Sequence, residues 1–155
     1  MPIAPKKILI VEDHPLFRAV LAQLINLELD LTVCGEADNV PEALRLIEQT
    51  RPDAAIVDLT LAGSNGLDLI ADLTARHVPL PVLVLSMHAE KLYAERVVAA
   101  GAKGFVSKEE PPAAVLAALR TVLAGGRYLS ERVQRTIRER QEHAAAAEPL
   151  PGRAR

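Results

Sequence analysis

Ile8-Leu9-Ile10-Val11-Glu12-Asp13-His14-Pro15-Leu16-Phe17-Arg18 holds a strand, an acidic turn and a helix start in one short stretch. Four successive apolar residues suit a strand buried on both faces. Glu12-Asp13 ends that run, and Pro15 stands where a first helical residue has no N–H to satisfy. Leu16, Phe17, Val20, Leu21, Leu24 and Ile25 then recur at helical spacing.

Downstream the alternation repeats. Residues 31–35 read as a second strand, and Val40, Ala43, Leu44 and Ile47 mark a helix that Arg51-Pro52 ends. Residues 54–58 are the third strand. Gly63-Ser64-Asn65-Gly66 is a loop in which Ser64 or Asn65 caps a helix carrying Leu67, Ile70 and Leu73. Residues 82–86 make the fourth strand. The next helix carries Leu92, Tyr93, Arg96, Val97 and Ala100, and Gly101 stops it. Residues 104–107 make a short fifth strand. Pro111-Pro112 open a helix with Val115, Leu116, Leu119, Val122 and Leu123 on one face, stopped by Gly125-Gly126. Five strands alternating with five helices predict an α/β fold: a five-stranded, doubly wound parallel sheet.

Composition agrees with a single domain. The chain has 155 residues, 50% hydrophobic and 25% charged, with a formal charge of −2, which argues against binding to nucleic acid or a membrane surface. One cysteine, Cys34, excludes an internal disulfide and a multi-thiolate zinc site; it reads as a buried core thiol. A reducing, cytoplasmic compartment follows. The N-terminus does not read as a secretory signal, and no apolar run reaches the roughly 18 residues of a membrane span. After residue 126 stand seven Arg and four Glu, against 11 basic and 16 acidic residues before it. A mildly basic tail therefore follows an acidic body. Within that tail, 130–142 is a weaker amphipathic helix with Val133 and Ile137, followed by an aperiodic stretch.

The polar residues fall at strand ends: Glu12-Asp13 after the first, Asp58 after the third, Ser86 after the fourth, Lys108 after the fifth. In an open α/β sheet those ends meet where the strand order reverses. Clustered carboxylates repel unless a cation joins them, and oxygen donors without His or Cys suit Mg²⁺. Aspartate can also serve as a nucleophile toward phosphorus, with a lysine and a hydroxyl holding the phosphoryl oxygens. The set points to Mg²⁺-dependent phosphoryl chemistry on an aspartate.

These segments resemble the bacterial response-regulator receiver domain of the NarL/FixJ (LuxR-type) subfamily. The run 8–18 is similar to its start, Asp58-Leu59-Thr60-Leu61-Ala62-Gly63-Ser64-Asn65-Gly66-Leu67 to the segment around its phosphoacceptor, and residues 100–108 to its last strand and lysine. Residues 123–130 resemble the exit toward a DNA-binding domain. The resemblance implies a flavodoxin-like strand order, 2-1-3-4-5. It also implies that Asp58 takes a phosphoryl group from a sensor histidine kinase, and that Asp13 and Asp58 bind Mg²⁺ with the Thr60 carbonyl and help from Glu12. Lys108 would pair with the phosphoryl oxygens, Ser86 would donate to them, and Phe105 would be the aromatic switch. A receiver over 6–126 and a linker helix and tail over 127–155 follow, with the DNA-binding output domain absent from this chain. DNA contact would then belong to a full-length transcription regulator, and homodimer pairing through the tail stripe is open. The chain departs from the family at Leu61-Ala62-Gly63, often Met-Pro-Gly. His88, two residues after Ser86, lies where the family tunes phosphoryl lifetime.

Two rival readings weigh less. A haloacid-dehalogenase-like phosphatase also uses an Asp nucleophile and Mg²⁺, but its Asp-x-Asp pair is missing, since Thr60 stands two residues after Asp58. A stand-alone receiver acting only by protein–protein binding would not need the acidic pair, Asp58 and Lys108 together.

Overall fold

The computed structural model describes residues 4–61, 63–87, 91–129 and 131–147. His88 and Ser130, and the side chains of Leu92, Tyr93 and Val133, lie outside the described residues. In chain order the elements are β1 (Lys6–Val11), α1 (Pro15–Asn26), β2 (Leu31–Ala37), α2 (Val40–Thr50), β3 (Ala54–Asp58), β4 (Thr60–Leu61), β5 (Ser64–Asn65), α3 (Gly66–Ala75), β6 (Val82–Ser86), α4 (Lys91–Ala99), β7 (Gly104–Ser107), α5 (Pro112–Leu123) and α6 (Glu131–Ala147).

Five strands pair in parallel in the order β2-β1-β3-β6-β7, as the sequence predicts. Because strand side chains alternate, each apolar run feeds two cores. Leu9, Val11, Ala55, Val57 and Val84 face one cluster with Ala43, Leu69, Ile70 and Val97. Ile8, Ile10, Ile56, Leu83 and Leu85 face the other with Leu21, Ile25, Val115 and Leu119. Helices α2, α3 and α4 thus cover one face, and α1 and α5 the other.

Local signals account for most boundaries. His14 caps α1 by accepting from Phe17 N at 3.2 Å, and Asn39 and Asn65 cap α2 and α3 in the same manner. Arg51, which precedes Pro52, ends α2 in the left-handed region at φ 48°. A proline disfavours the right-handed helical region for the residue before it. The expected loop at 63–66 supplies one side of a two-residue antiparallel ladder, Thr60↔Asn65 and Leu61↔Ser64, and Gly63 between them stands at φ 71°.

Cys34 differs from the buried thiol expected. The β1–β2 register slips between Ile8 and Leu9, so that Cys34 becomes the bulged residue. It is only half-buried, with Sγ 3.3 Å from Thr50 Oγ1. A bulge leaves its extra residue outside the ladder.

The tail also departs from the reading above. Tyr128, expected in the linker, bridges to Gly104 beside β7: Phe105 N donates to its carbonyl (3.0 Å) and its own N donates to the Lys103 carbonyl (2.9 Å). Helix α6 extends to Ala147 and lies against α4, with Arg140 Nε 3.1 Å from Glu95 Oε2 and Ile137 packed on the core. A chain ended at Gly126 is expected to melt roughly 6–12 °C below one ended at Leu129. It forfeits two backbone hydrogen bonds worth about 1 kcal/mol each and the packing of Tyr128. Equal melting temperatures would show that the Tyr128 pairing adds nothing to a receiver ending at Gly126.

Candidate functional site

In the order β2-β1-β3-β6-β7 the chain turns one way from β1 to β2 and the other way to reach β3. The C-terminal ends of β1 and β3 therefore flank a crevice that neither crossover covers. Glu12 follows β1 and Asp58 ends β3, while β6 and β7 end alongside in Ser86 and Ser107-Lys108.

Carboxylate oxygens of Glu12, Asp13 and Asp58 all lie within 4.8 Å of one another. Glu12 and Asp58 are buried and Asp13 is half-exposed. Lys108 Nζ donates to Asp58 Oδ2 at 3.0 Å and stands 2.8 Å from Glu12 Oε1. The second contact is an ion pair outside hydrogen-bond alignment, so Glu12 Oε1 is buried without an aligned donor. His14 N donates to Glu12 Oε2 at 3.0 Å. Thr60 N donates to Asp58 Oδ1 at 3.2 Å, and the Thr60 side chain faces solvent.

Burial pushes the Glu12 carboxyl above its ordinary value; the Lys108 ammonium and the His14 N–H oppose that, and the Asp58 charge adds to it. For Lys108, burial works against the charged form. The Glu12 and Asp58 carboxylates outweigh it and hold the ammonium above its ordinary value.

Three carboxylates against one ammonium leave two negative charges in excess when all are ionised. Hard oxygen donors, an imperfectly satisfied Glu12 oxygen and that charge imbalance fit a divalent cation such as Mg²⁺.

Of the residues singled out by sequence, Glu12, Asp13, Asp58 and Lys108 converge. Ser86 is buried at the end of β6, in register with Ser107, and its carbonyl accepts from Lys108 N at 2.7 Å. Phe105 is buried in the core cluster that includes residues of α2–α4, with Leu129 and Ile137 packed against that cluster.

Residues of α1 that sequence reasoning left without a role reach the crevice as well. Arg18 Nη1 donates to the Glu12 carbonyl at 2.8 Å, with its Nε 3.4 Å from Glu36. The Phe17 ring lies under Lys108 Nζ, 4.6 Å from its centroid. Helical periodicity marks Phe17 as a core residue, and nothing in the sequence pairs it with a lysine 91 positions away.

Gly66 shows how tightly the crevice is built. A Cβ there would meet the Asp58 carbonyl at 2.4 Å and Leu59 Cα at 3.1 Å, both main-chain atoms. Gly66→Ala is expected to cost about 1–3 kcal/mol in urea unfolding and to displace the end of β3. An unchanged midpoint would show that the turn relaxes freely.

A doubly wound parallel sheet with three carboxylates and a lysine gathered at its switch point is the arrangement of a receiver-type α/β domain. The family model for the response regulator receiver domain matches residues 8–120, and the chain belongs to that family, in its NarL/FixJ branch. A putative transcriptional regulator of Pseudomonas aeruginosa is 38% identical over 149 residues, 95% of this chain and 72% of that protein. The nitrate/nitrite response regulator protein NarP of Escherichia coli is 32% identical, covering 97% of this chain and 70% of its own. The transcriptional regulatory protein DegU of Brevibacillus brevis is 30% identical, covering 84% and 56%. The chain thus spans between 56% and 72% of these relatives. Among solved structures, a LuxR-family two-component response regulator from Aurantimonas has a TM-score of 0.82 at 32% identity, covering 90% of this chain and 99% of that one. The signal receiver domain of the putative response regulator NarL from Mycobacterium tuberculosis has a TM-score of 0.75 at 29% identity, covering 79% and 99%. No helix among the described residues is long and apolar enough to cross a membrane.

Proposed function

We propose that the chain is the phosphoacceptor of a two-component system. Asp58 takes a phosphoryl group from the phosphohistidine of a sensor kinase, and the changed charge is read out by an output domain that controls transcription. The observation that carries this is the joint placement of Asp58, two further carboxylates and Lys108 within one crevice.

An Asp58 carboxylate oxygen attacks phosphorus; the new P–O bond forms as the P–N bond to the imidazole breaks, and the electron pair leaves on the imidazole nitrogen. Lys108, now on Asp58 and Glu12, turns to the phosphoryl oxygens as charge collects there. Ser86, buried at the end of β6, would donate its hydroxyl to the same group. Glu12, Asp13 and Asp58, with the Thr60 carbonyl, would hold Mg²⁺, which neutralises phosphoryl charge when bound. Phe105, buried in the core, is the packing element that would report the change. A receiver over 6–126 followed by a linker helix and tail over 127–155 remains the proposed division, with Tyr128 of the linker pairing back onto β7.

The test is intact mass after incubation with a small acyl phosphate. One phosphoryl group is expected, only with Mg²⁺, and mapped to the peptide holding Asp58. Asp13→Ala is expected to keep the fold and weaken Mg²⁺ binding by at least about tenfold, the loss of one charged ligand. Multiple turnover of a phosphomonoester, or a Mg²⁺ affinity untouched by Asp13→Ala, would sink this reading.

A further inference from the structure

Lys108 has a third neighbour besides its two carboxylates. Its side chain is 8% exposed, and the face of the half-buried Phe17 ring lies 4.6 Å from Nζ. Phe17 sits in the first turn of α1, which is tied to the crevice on both sides. His14 caps that turn through Phe17 N and donates its own N–H to Glu12, and Arg18 holds the Glu12 carbonyl. The ring is therefore set in position by the same backbone that sets Glu12.

We propose that Phe17 is a positioning residue for Lys108: its ring face and the Glu12 and Asp58 carboxylates together determine where the ammonium stands. This rests on the phosphoacceptor reading above for its consequence, though not for the contact itself.

The choice of an aromatic face has a physical logic. A carbonyl in that place would hold one N–H along a fixed direction. A ring attracts the cation through its quadrupole over a broad area and takes none of its three donors. The ammonium can then swing from Glu12 and Asp58 toward newly arrived phosphoryl oxygens without giving up its third partner. The ring also keeps water from the ammonium, which strengthens both carboxylate contacts. An aliphatic residue would fill the same space and supply the exclusion, but not the attraction.

The experiment uses the full chain with Phe17→Leu, which keeps apolar bulk, and Phe17→Tyr, which keeps the ring. Without phosphodonor or Mg²⁺, the Lys108 Hε resonances are expected to be ring-shifted upfield in the wild type and in Phe17→Tyr, and to return to ordinary values in Phe17→Leu. Unshifted resonances in the wild type overturn the proposal, whatever becomes of the phosphoacceptor reading. With acetyl phosphate and Mg²⁺, Phe17→Leu is expected to slow phosphorylation about 3- to 10-fold, in line with a partly desolvated cation–π contact, and Phe17→Tyr to restore it. In a Lys108→Ala background the same Phe17→Leu change is expected to have no further effect. An equal slowing in both backgrounds would make Phe17 a packing residue only. A wild type that takes no phosphoryl group would instead sink the phosphoacceptor reading and leave the resonance shifts to decide the contact.

Discussion

Asp58→Asn is expected to take up no phosphoryl group from either a kinase or a small acyl phosphate, with intact mass as the readout. Asparagine keeps the size and one oxygen of the side chain, so Thr60 N retains an acceptor and the end of β3 keeps its shape. What disappears is the carboxylate lone-pair charge that attacks phosphorus. The same change removes one of the two buried carboxylates facing Lys108 and leaves Glu12 paired at 2.8 Å. Removing a like charge relieves repulsion, so the variant is expected to be at least as stable as the parent in urea. That pairing of outcomes separates lost chemistry from lost folding. An adduct formed at the wild-type rate would assign the acceptor elsewhere, with Glu12 and Asp13 the neighbouring carboxylates to examine.

Lys108→Ala is expected to produce the largest loss of stability. Glu12 and Asp58 would then share a buried crevice without a cation, and breaking a buried charge set by removing one partner costs about 3–5 kcal/mol. The sign of the pH dependence follows from Glu12. Its carboxyl already stands above the ordinary value of 4.5 because of burial, and the ammonium that opposes this shift would be gone. A carboxyl raised in the folded state favours folding at low pH, and that contribution is lost as pH rises through the folded value. The deficit relative to wild type is therefore expected to shrink on acidification from about pH 8 to about pH 5. Mg²⁺ is expected to shrink it as well, because an ion bound only by the folded chain stabilises by mass action. Urea unfolding at both pH values, with Mg²⁺ or with a chelator, checks this. A deficit insensitive to both conditions would mean that Lys108 acts through packing of its stem alone.

The local sequence determined the five long strands and the five helices that alternate with them, and the order in which they come. Short apolar runs such as 8–11 and 54–57, bounded by polar or turn residues, suit strands covered on both sides. Pro15 and Pro112 open their helices, and Arg51-Pro52 closes one, for reasons contained within one turn of chain. The carboxylates and the lysine were legible because each sits at the last residue of a strand or one or two residues beyond it, and parallel strands carry their C-terminal ends to a common edge. Tertiary structure decided what those residues touch. Which carboxylate oxygen Lys108 meets, and that a Phe17 face lies beneath it, depend on how α1 and β7 pack across β1, β3 and β6, a geometry with no sequence period. Tyr128 is a sheet-side residue for the same reason: its partners, Lys103 and Phe105, are backbone groups, and backbone pairing over such a distance leaves no mark in side-chain identity. The bulge at Cys34 depends likewise on the register with β1. A helix or strand is encoded by the spacing of neighbours, whereas a charge constellation is encoded by the topology that brings strand ends together.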